Sequence, residues 1–200
     1  MAGPERALPL YGLVLAGGDS RRMGRDKAGL LRGGQSQLAY IVSVVEPFVD
    51  RVFVSTKASQ QDEAERSRFD QIVDRYKDMG PVAGILSAMD EHSEVDWLVV
   101  ACDLPNIDAS TVSYLLEQRS PEQPFSAYGS SHDGLPEPLC AVYAAGSADI
   151  VRGFVAEGIY CPRKMLIRSE TLLLEQPDPH ALHNVNTPED LEDSVLGAAS

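Results

Sequence analysis

Residues 13–27, LVLAGGDSRRMGRDK, constrain the fold of this chain more than any other stretch. The apolar run at 13–16 reads as a buried strand that stops abruptly at Gly17-Gly18. A chain leaving a strand through two glycines can turn sharply and bring its amides close to a ligand, because no Cβ intervenes. Successive N–H groups in such a turn form an anion-binding concavity. The loop that follows carries Arg21, Arg22, Arg25 and Lys27, which add charge-assisted hydrogen bonds to phosphate. Five of the seventeen basic residues lie between Arg21 and Arg32, on a chain of net charge −13. A cationic glycine loop on an anionic protein predicts a phosphate site. A solvated surface loop is the plainer alternative, but it leaves the strand, the basic cluster and the Arg-Met-Gly-x-Asp-Lys ending unrelated. The stretch holds neither G-x-x-x-x-G-K-[ST] nor G-x-G-x-x-G, which excludes a Walker A loop and a dinucleotide fingerprint.

Beyond the loop, strand-like and helix-like segments alternate. Residues 37–48 place apolar side chains at helical spacing, 51–55 form a short strand, 59–68 a polar helix and 71–73 a third strand. Residues 81–92 begin with proline at a first helical position. Residues 96–102, DWLVVAC, are a continuous apolar run of the kind buried on both faces of a parallel sheet. A helix over 107–119 follows. This order predicts an α/β chain, a mainly parallel sheet with helices on both sides. From Pro124 the pattern changes. Strand-like runs at 125–128 and 139–143 flank the turn-rich SSHDGLPEP, and a helix over 147–157 and a strand over 170–175 complete the chain. The expected organisation is a single domain over 1–200 in two halves, one at about 8–125 that carries the phosphate loop and one at about 126–195.

Composition removes several classes. A broad basic face is missing, so general nucleic-acid binding is not expected. No apolar segment is long enough to span a membrane, and the first residues, MAGPERALPL, lack the pattern of a secretory signal. Cys102, Cys140 and Cys161 are odd in number and form no C-x-x-C, which argues against a disulfide framework and for the cytoplasm. The four histidines show no zinc spacing with cysteine. Cys140 and Trp97 read as core residues.

Ligands of open parallel sheets bind outside the carboxyl ends of the strands. Asp103 closes the VVAC strand at such an end, facing the basic loop. Magnesium takes oxygen ligands, typically one or two carboxylates with substrate phosphates and water, so Asp103 is a candidate metal ligand. An aspartate that merely forms a turn is the alternative. Asp74 ends the IVD strand at the same edge. Gly84 lies one turn into a helix, where glycine costs about 1 kcal/mol relative to alanine. Either tight packing or close approach of a ligand would explain it. Cys161-Pro162-Arg163-Lys164 sets two cations beside a helix start, a possible phosphate dock or a solvated turn.

The loop, in the form L-A-G-G-x-S-x-R-M-G-x-D-K, resembles the signature of the nucleotidyltransferases with a Rossmann-like fold, and specifically the molybdenum cofactor guanylyltransferases. Asn184-Val185-Asn186-Thr187-Pro188-Glu189-Asp190-Leu191 is similar to that family's N-x-N-T-P-E-[DE]-L stretch. The resemblance runs from about Leu10 to Leu191 and is weak between Ser120 and Ile167. It implies a three-layer fold with an antiparallel portion in the second half, a nucleotide-binding half at about 8–125 and an acceptor-binding half at about 126–195, and transfer of GMP from GTP to the terminal phosphate of molybdopterin with release of pyrophosphate. Leu15, Ala16, Gly17, Gly18, Lys27, Ser55, Asp74, Gly84 and Asp103 would bind the nucleotide. Arg22 and Lys27 would stabilise the triphosphate, and Asp103 would hold Mg2+. Arg163, Asn184 and Asn186 would bind the acceptor. A GTP-binding adaptor or molybdoenzyme chaperone would be a possible protein partner. Where this chain has Ser55-Thr56, the family often has asparagine.

Two other functions remain open at this point. A cytidylyltransferase or a sugar-phosphate enzyme would share the loop, although the Ala-Gly-Gly form favours guanine over the Ala-Ala-Gly of many cytidyl enzymes. A binding module that keeps the fold without turnover would have no need of both Lys27 and Asp103.

Overall fold

The computed structural model describes residues 8–17, 31–32 and 34–184. Its centre is a seven-stranded sheet. In chain order its strands are β1 (Leu10–Leu15), β4 (Arg51–Thr56), β5 (Gln71–Val73), β6 (Asp96–Ala101), β7 (Phe125–Gly129), β8 (Pro136–Tyr143) and β9 (Thr171–Leu174). Two short strands, β2 (Leu31–Arg32) and β3 (Gln35–Ser36), pair separately as an antiparallel hairpin. The spatial order is β5-β4-β1-β6-β8-β7-β9. The first four run parallel, β8 is antiparallel to both β6 and β7, and β7 is parallel to β9. The mainly parallel α/β fold with an antiparallel portion is therefore present.

Period-two alternation in the central strands makes the three layers. Val14, Val54, Leu98 and Val100 enter a core shared with α1 (Gln37–Val45) and α3 (Ala109–Gln118). Leu13, Phe53, Trp97 and Val99 enter the opposite core, shared with α2 (Pro81–Glu91), α4 (Ala148–Ala156) and α5 (Pro162–Ile167). Strands covered on both faces have no polar side to present, which is why they read as unbroken apolar runs. Trp97 and Cys140 are each 1% exposed and are core residues, as the sequence indicated.

Two expectations need correction. Residues 59–68 form no α-helix; two single 3-10 turns, Ala58–Gln60 and Arg66–Arg68, stand there instead. The segment lacks an apolar face, and helix stability in a protein comes mainly from packing such a face. Arg66 is drawn inward, away from any helical surface. The strand expected at 139–143 begins earlier, at Pro136, and takes in two prolines. A register shift opposite, between Ala127 and Gly129, accommodates this start, and proline is tolerated at strand starts and irregularities.

Two helix starts, those of α1 and α3, carry side-chain caps. The Ser36 hydroxyl accepts from Ala39 N–H at the start of α1. The Asp108 carboxylate accepts from Thr111 N–H and from the Ser110 and Thr111 hydroxyls, each at 2.8 Å, at the start of α3. Partial burial pushes the Asp108 carboxyl up, but the bonds from Thr111 and Ser110 outweigh it and hold it below the ordinary aspartate value. Asp108→Ala is expected to cost about 1 kcal/mol at neutral pH. A depressed carboxyl contributes stability that is present above its unfolded value and lost as pH falls through the folded one. The difference between parent and variant in urea melts should therefore shrink below about pH 4. A difference independent of pH would contradict the cap.

Candidate active site

The chain runs from β1 outward to β4 and β5, then returns through α2 to β6 on the other side of β1. This reversal opens a crevice at the carboxyl ends of the strands, where open α/β sheets bind ligands. Each rim residue is held by one further bond of the ladder. Cys102 N–H donates to Leu15 O at 3.1 Å, Ala16 N–H to Ser55 O at 3.1 Å and Asp74 N–H to Thr56 O at 2.8 Å. The result is a cavity of about 660 Å³. Leu15, Ala16, Gly17, Ser55, Asp74, Gly84 and Asp103 all line it. Seven residues chosen from five separate stretches of sequence thus converge.

Inside, Ser55, Asp74 and Gly84 form one unit. Ser55 is 2% exposed and donates its Oγ to Asp74 Oδ1 at 2.8 Å. Burial pushes the Asp74 carboxyl above its ordinary value, with the Ser55 hydroxyl and the Lys57 charge opposing the rise. A Cβ on Gly84 would stand 2.2 Å from Ser55 Oγ and 3.0 Å from Leu15 Cδ2. Close packing of α2 on the sheet therefore accounts for this glycine, while its backbone still lines the cavity. Gly84→Ala gains helix propensity of about 1 kcal/mol but forces Ser55 aside, and overpacking costs about 1–3 kcal/mol. A net fall in thermal midpoint is expected. A midpoint at or above the parent's would show that β4 and Leu15 yield easily.

At Gly17 a Cβ would stand 3.2 Å from Asp74 Oδ2, so the chain passes close to this carboxylate as it leaves β1. Asp103, half-buried, follows β6 on the opposite flank of β1. Among the described residues no three His, Cys, Asp or Glu are grouped to hold a metal. A divalent ion at Asp103 would draw its remaining ligands from phosphate and water, a coordination that suits Mg2+.

Other sequence-indicated residues fall elsewhere. Gly18, Arg22, Lys27 and Asn186 lie outside the described residues. Arg163 does not line the cavity. Its guanidinium meets Glu137 Oε2 at 2.9 Å and Asp133 Oδ2 at 3.3 Å, so a phosphate docking there would compete with two carboxylates. Asn184 is exposed and also apart from the cavity. Cys140 is no nucleophile: burial, then the Glu137 charge, pushes its thiol up to about 12. None of the described cysteines forms a disulfide.

Three residues escaped the sequence reading. Lys57 lines the cavity just past β4. Tyr76 lines it too, its hydroxyl donating to Asp90 Oδ2 at 2.5 Å, and Asp90 in turn accepts from Arg152 at 2.7 Å. Arg66 is buried behind the rim at Ala16. Only Lys57 carried a legible signal, its place directly after a strand end.

Residues 12–170 match the MobA-like NTP transferase domain. The chain belongs to that family. MobA-like NTP transferases are nucleotidyltransferases, and the strand-end cavity is where such a fold binds its ligand. The chain is 35% identical over 182 residues to the molybdenum cofactor biosynthesis bifunctional protein of Synechocystis, covering 91% of itself and 52% of that relative. It thus spans about half the length of that protein. It is 33% identical over 194 residues to the molybdenum cofactor guanylyltransferase of Pseudomonas aeruginosa, covering 93% of itself and 95% of the relative. Among solved structures, molybdopterin-guanine dinucleotide biosynthesis protein A of Archaeoglobus fulgidus superposes with a TM-score of 0.75 at 25% identity, over 92% of this chain and 95% of that one. No helix among the described residues is long and apolar enough to cross a membrane.

Proposed function

We propose that this MobA-like NTP transferase transfers GMP from GTP to the terminal phosphate of molybdopterin, releasing pyrophosphate and forming the guanine dinucleotide cofactor. The observation that carries this reading is the single cavity that joins Gly17, Asp74 and Asp103 at the strand ends of a chain in this family. The names of its Pseudomonas and Archaeoglobus relatives support the acceptor class. The whole of 1–200 acts as one domain in this proposal, in the cytoplasm, with adaptor or chaperone partners as further candidates.

Guanine presents N1–H and N2–H donors side by side and an acceptor at O6. The Asp74 carboxylate, oriented by Ser55, offers the paired acceptor, and Lys57 offers a nearby cation for O6. The loop from Gly17 would run along the triphosphate, with Arg22 and Lys27 neutralising the phosphates and the departing pyrophosphate. Asp103 would hold Mg2+, which supplies Lewis acidity at the α-phosphate when bound. Attack of the acceptor's phosphate oxygen in line with the leaving pyrophosphate forms one P–O bond as the other breaks. Such a step asks the protein for positioning and charge neutralisation, without a covalent nucleophile. Arg163, Asn184 and Asn186 are assigned to the acceptor.

Pyrophosphate release measured with each of the four NTPs, with and without molybdopterin, tests the reading. Release that depends on both GTP and molybdopterin is expected. Release with CTP alone would make the protein a cytidylyltransferase, and release with none would remove the activity.

A further inference from the structure

Arg66 is 1% exposed, in a polar segment with no other buried residue near it in sequence. Its Nε donates to Ala16 O at 3.1 Å and its Nη2 to the same oxygen at 2.6 Å, across fifty residues of chain. Its Nη1 pairs with Glu63. Burying a guanidinium is costly, and a buried ion pair stabilises a fold no better than apolar side chains of similar volume. A cation placed there is explained by what it holds.

It holds the last peptide before the phosphate loop. Ala16 N–H is already bound to Ser55 O, so Arg66 completes the fixing of this residue on both polar groups. No described peptide is cis, and in a trans peptide C=O and N–H point opposite ways. Arg66 does not line the cavity, whereas Ala16 and Gly17 do. A carbonyl pulled outward to Arg66 therefore turns Gly17 N–H inward. A charged donor on the carbonyl also polarises the peptide and strengthens its N–H as a donor.

We propose that Arg66 is a positioning residue for the nucleotide: it grips the Ala16 carbonyl from behind and presents Gly17 N–H to the bound NTP. This rests on the reading of the cavity as an NTP site. Arg66 touches no substrate and acts through one peptide plane. The segment 58–68 thereby becomes part of the site, although none of its elements is regular.

Direct titration of GTP in the presence of Mg2+ tests this with the full chain and with Arg66→Met, Arg66→Ala and Arg66→Lys. Circular dichroism well below each thermal midpoint establishes that the protein titrated is folded. The expected result is a Kd at least tenfold weaker for Arg66→Met and Arg66→Ala, and an intermediate loss for Arg66→Lys, which keeps charge without the forked geometry. Added methylguanidinium should restore GTP affinity to Arg66→Ala and leave Arg66→Met unaffected, since only the first has room for it. A residue that merely stabilises the fold would lower the midpoint in all three while the folded protein kept the parent Kd. That outcome overturns the proposal and leaves the NTP site standing. A parent protein that binds no NTP overturns both.

Discussion

Asp103→Asn is expected to yield a folded protein that turns over GTP at least on the order of a hundredfold more slowly, a loss of about 2.7 kcal/mol of transition-state stabilisation. The side chain keeps its size and can still form a turn, so an aspartate needed only for backbone geometry would tolerate the change. An amide is a poor ligand for Mg2+ and leaves the phosphate charge uncompensated. Raising Mg2+ should recover little, because a ligand and its charge are both gone. GTP binding without turnover should weaken far less than the rate. Initial rates at saturating GTP, beside a thermal melt, provide the check. Activity within a few-fold of the parent at ordinary Mg2+ would place the metal away from β6 and undo the assignment of Asp103.

Asp74→Asn is expected to separate stability from recognition. Burial raises the Asp74 carboxyl in the fold, so its ionised form is disfavoured there relative to the unfolded chain. Stability is lowered by such a group above its folded value, and the penalty vanishes as pH falls and the carboxyl protonates. The neutral amide should therefore give a thermal midpoint at or above the parent's at pH 7–8, with the gap closing in acid. Recognition should move the other way. Hydrogen bonds to charged groups contribute about 1.5–3 kcal/mol each, so exchanging the carboxylate for an amide should weaken GTP about tenfold to a hundredfold. The amide also places a donor where guanine carries its amino group and xanthine carries a carbonyl oxygen. XTP should accordingly gain on GTP in competition titrations. Parent-like GTP affinity would show that Asp74 faces something other than the base. In the parent, GTP should bind less tightly as acid protonates Asp74, and this pH dependence should disappear in the variant.

Much of this site was legible because a parallel sheet exposes its ligands at predictable places. A continuous apolar run ending in glycine or aspartate marks a strand end, and Leu15-Ala16-Gly17, Asp74 and Ala101-Cys102-Asp103 all announced themselves that way. Gly84 was legible as a constrained position but not as to cause, since packing and ligand approach leave the same mark on a sequence. The geometry decides it, through Ser55 and Leu15. Arg66 was hidden because its neighbourhood, Gln61 to Arg68 in the chain, is rich in charges of both signs and looks like a solvated helix face. Nothing local distinguishes the one cation that turns inward; its partner is a backbone carbonyl fifty residues away. Arg163 was legible only in part, for the converse reason. Its charge was visible in the sequence, while the carboxylates that match it, Asp133 and Glu137, come from a distant turn and from β8.

In the proposed reaction a nucleotidyl group, and no other part of the nucleotide, passes to the acceptor. GTP labelled at the α-phosphate and GTP labelled at the γ-phosphate, each incubated with the protein, Mg2+ and molybdopterin, test it most directly. The α label is expected in a pterin product bearing guanosine, and the γ label wholly in pyrophosphate. Transfer of the γ label to the acceptor, or its release as inorganic phosphate with the α label left in GDP, would rule out nucleotidyl transfer by this protein.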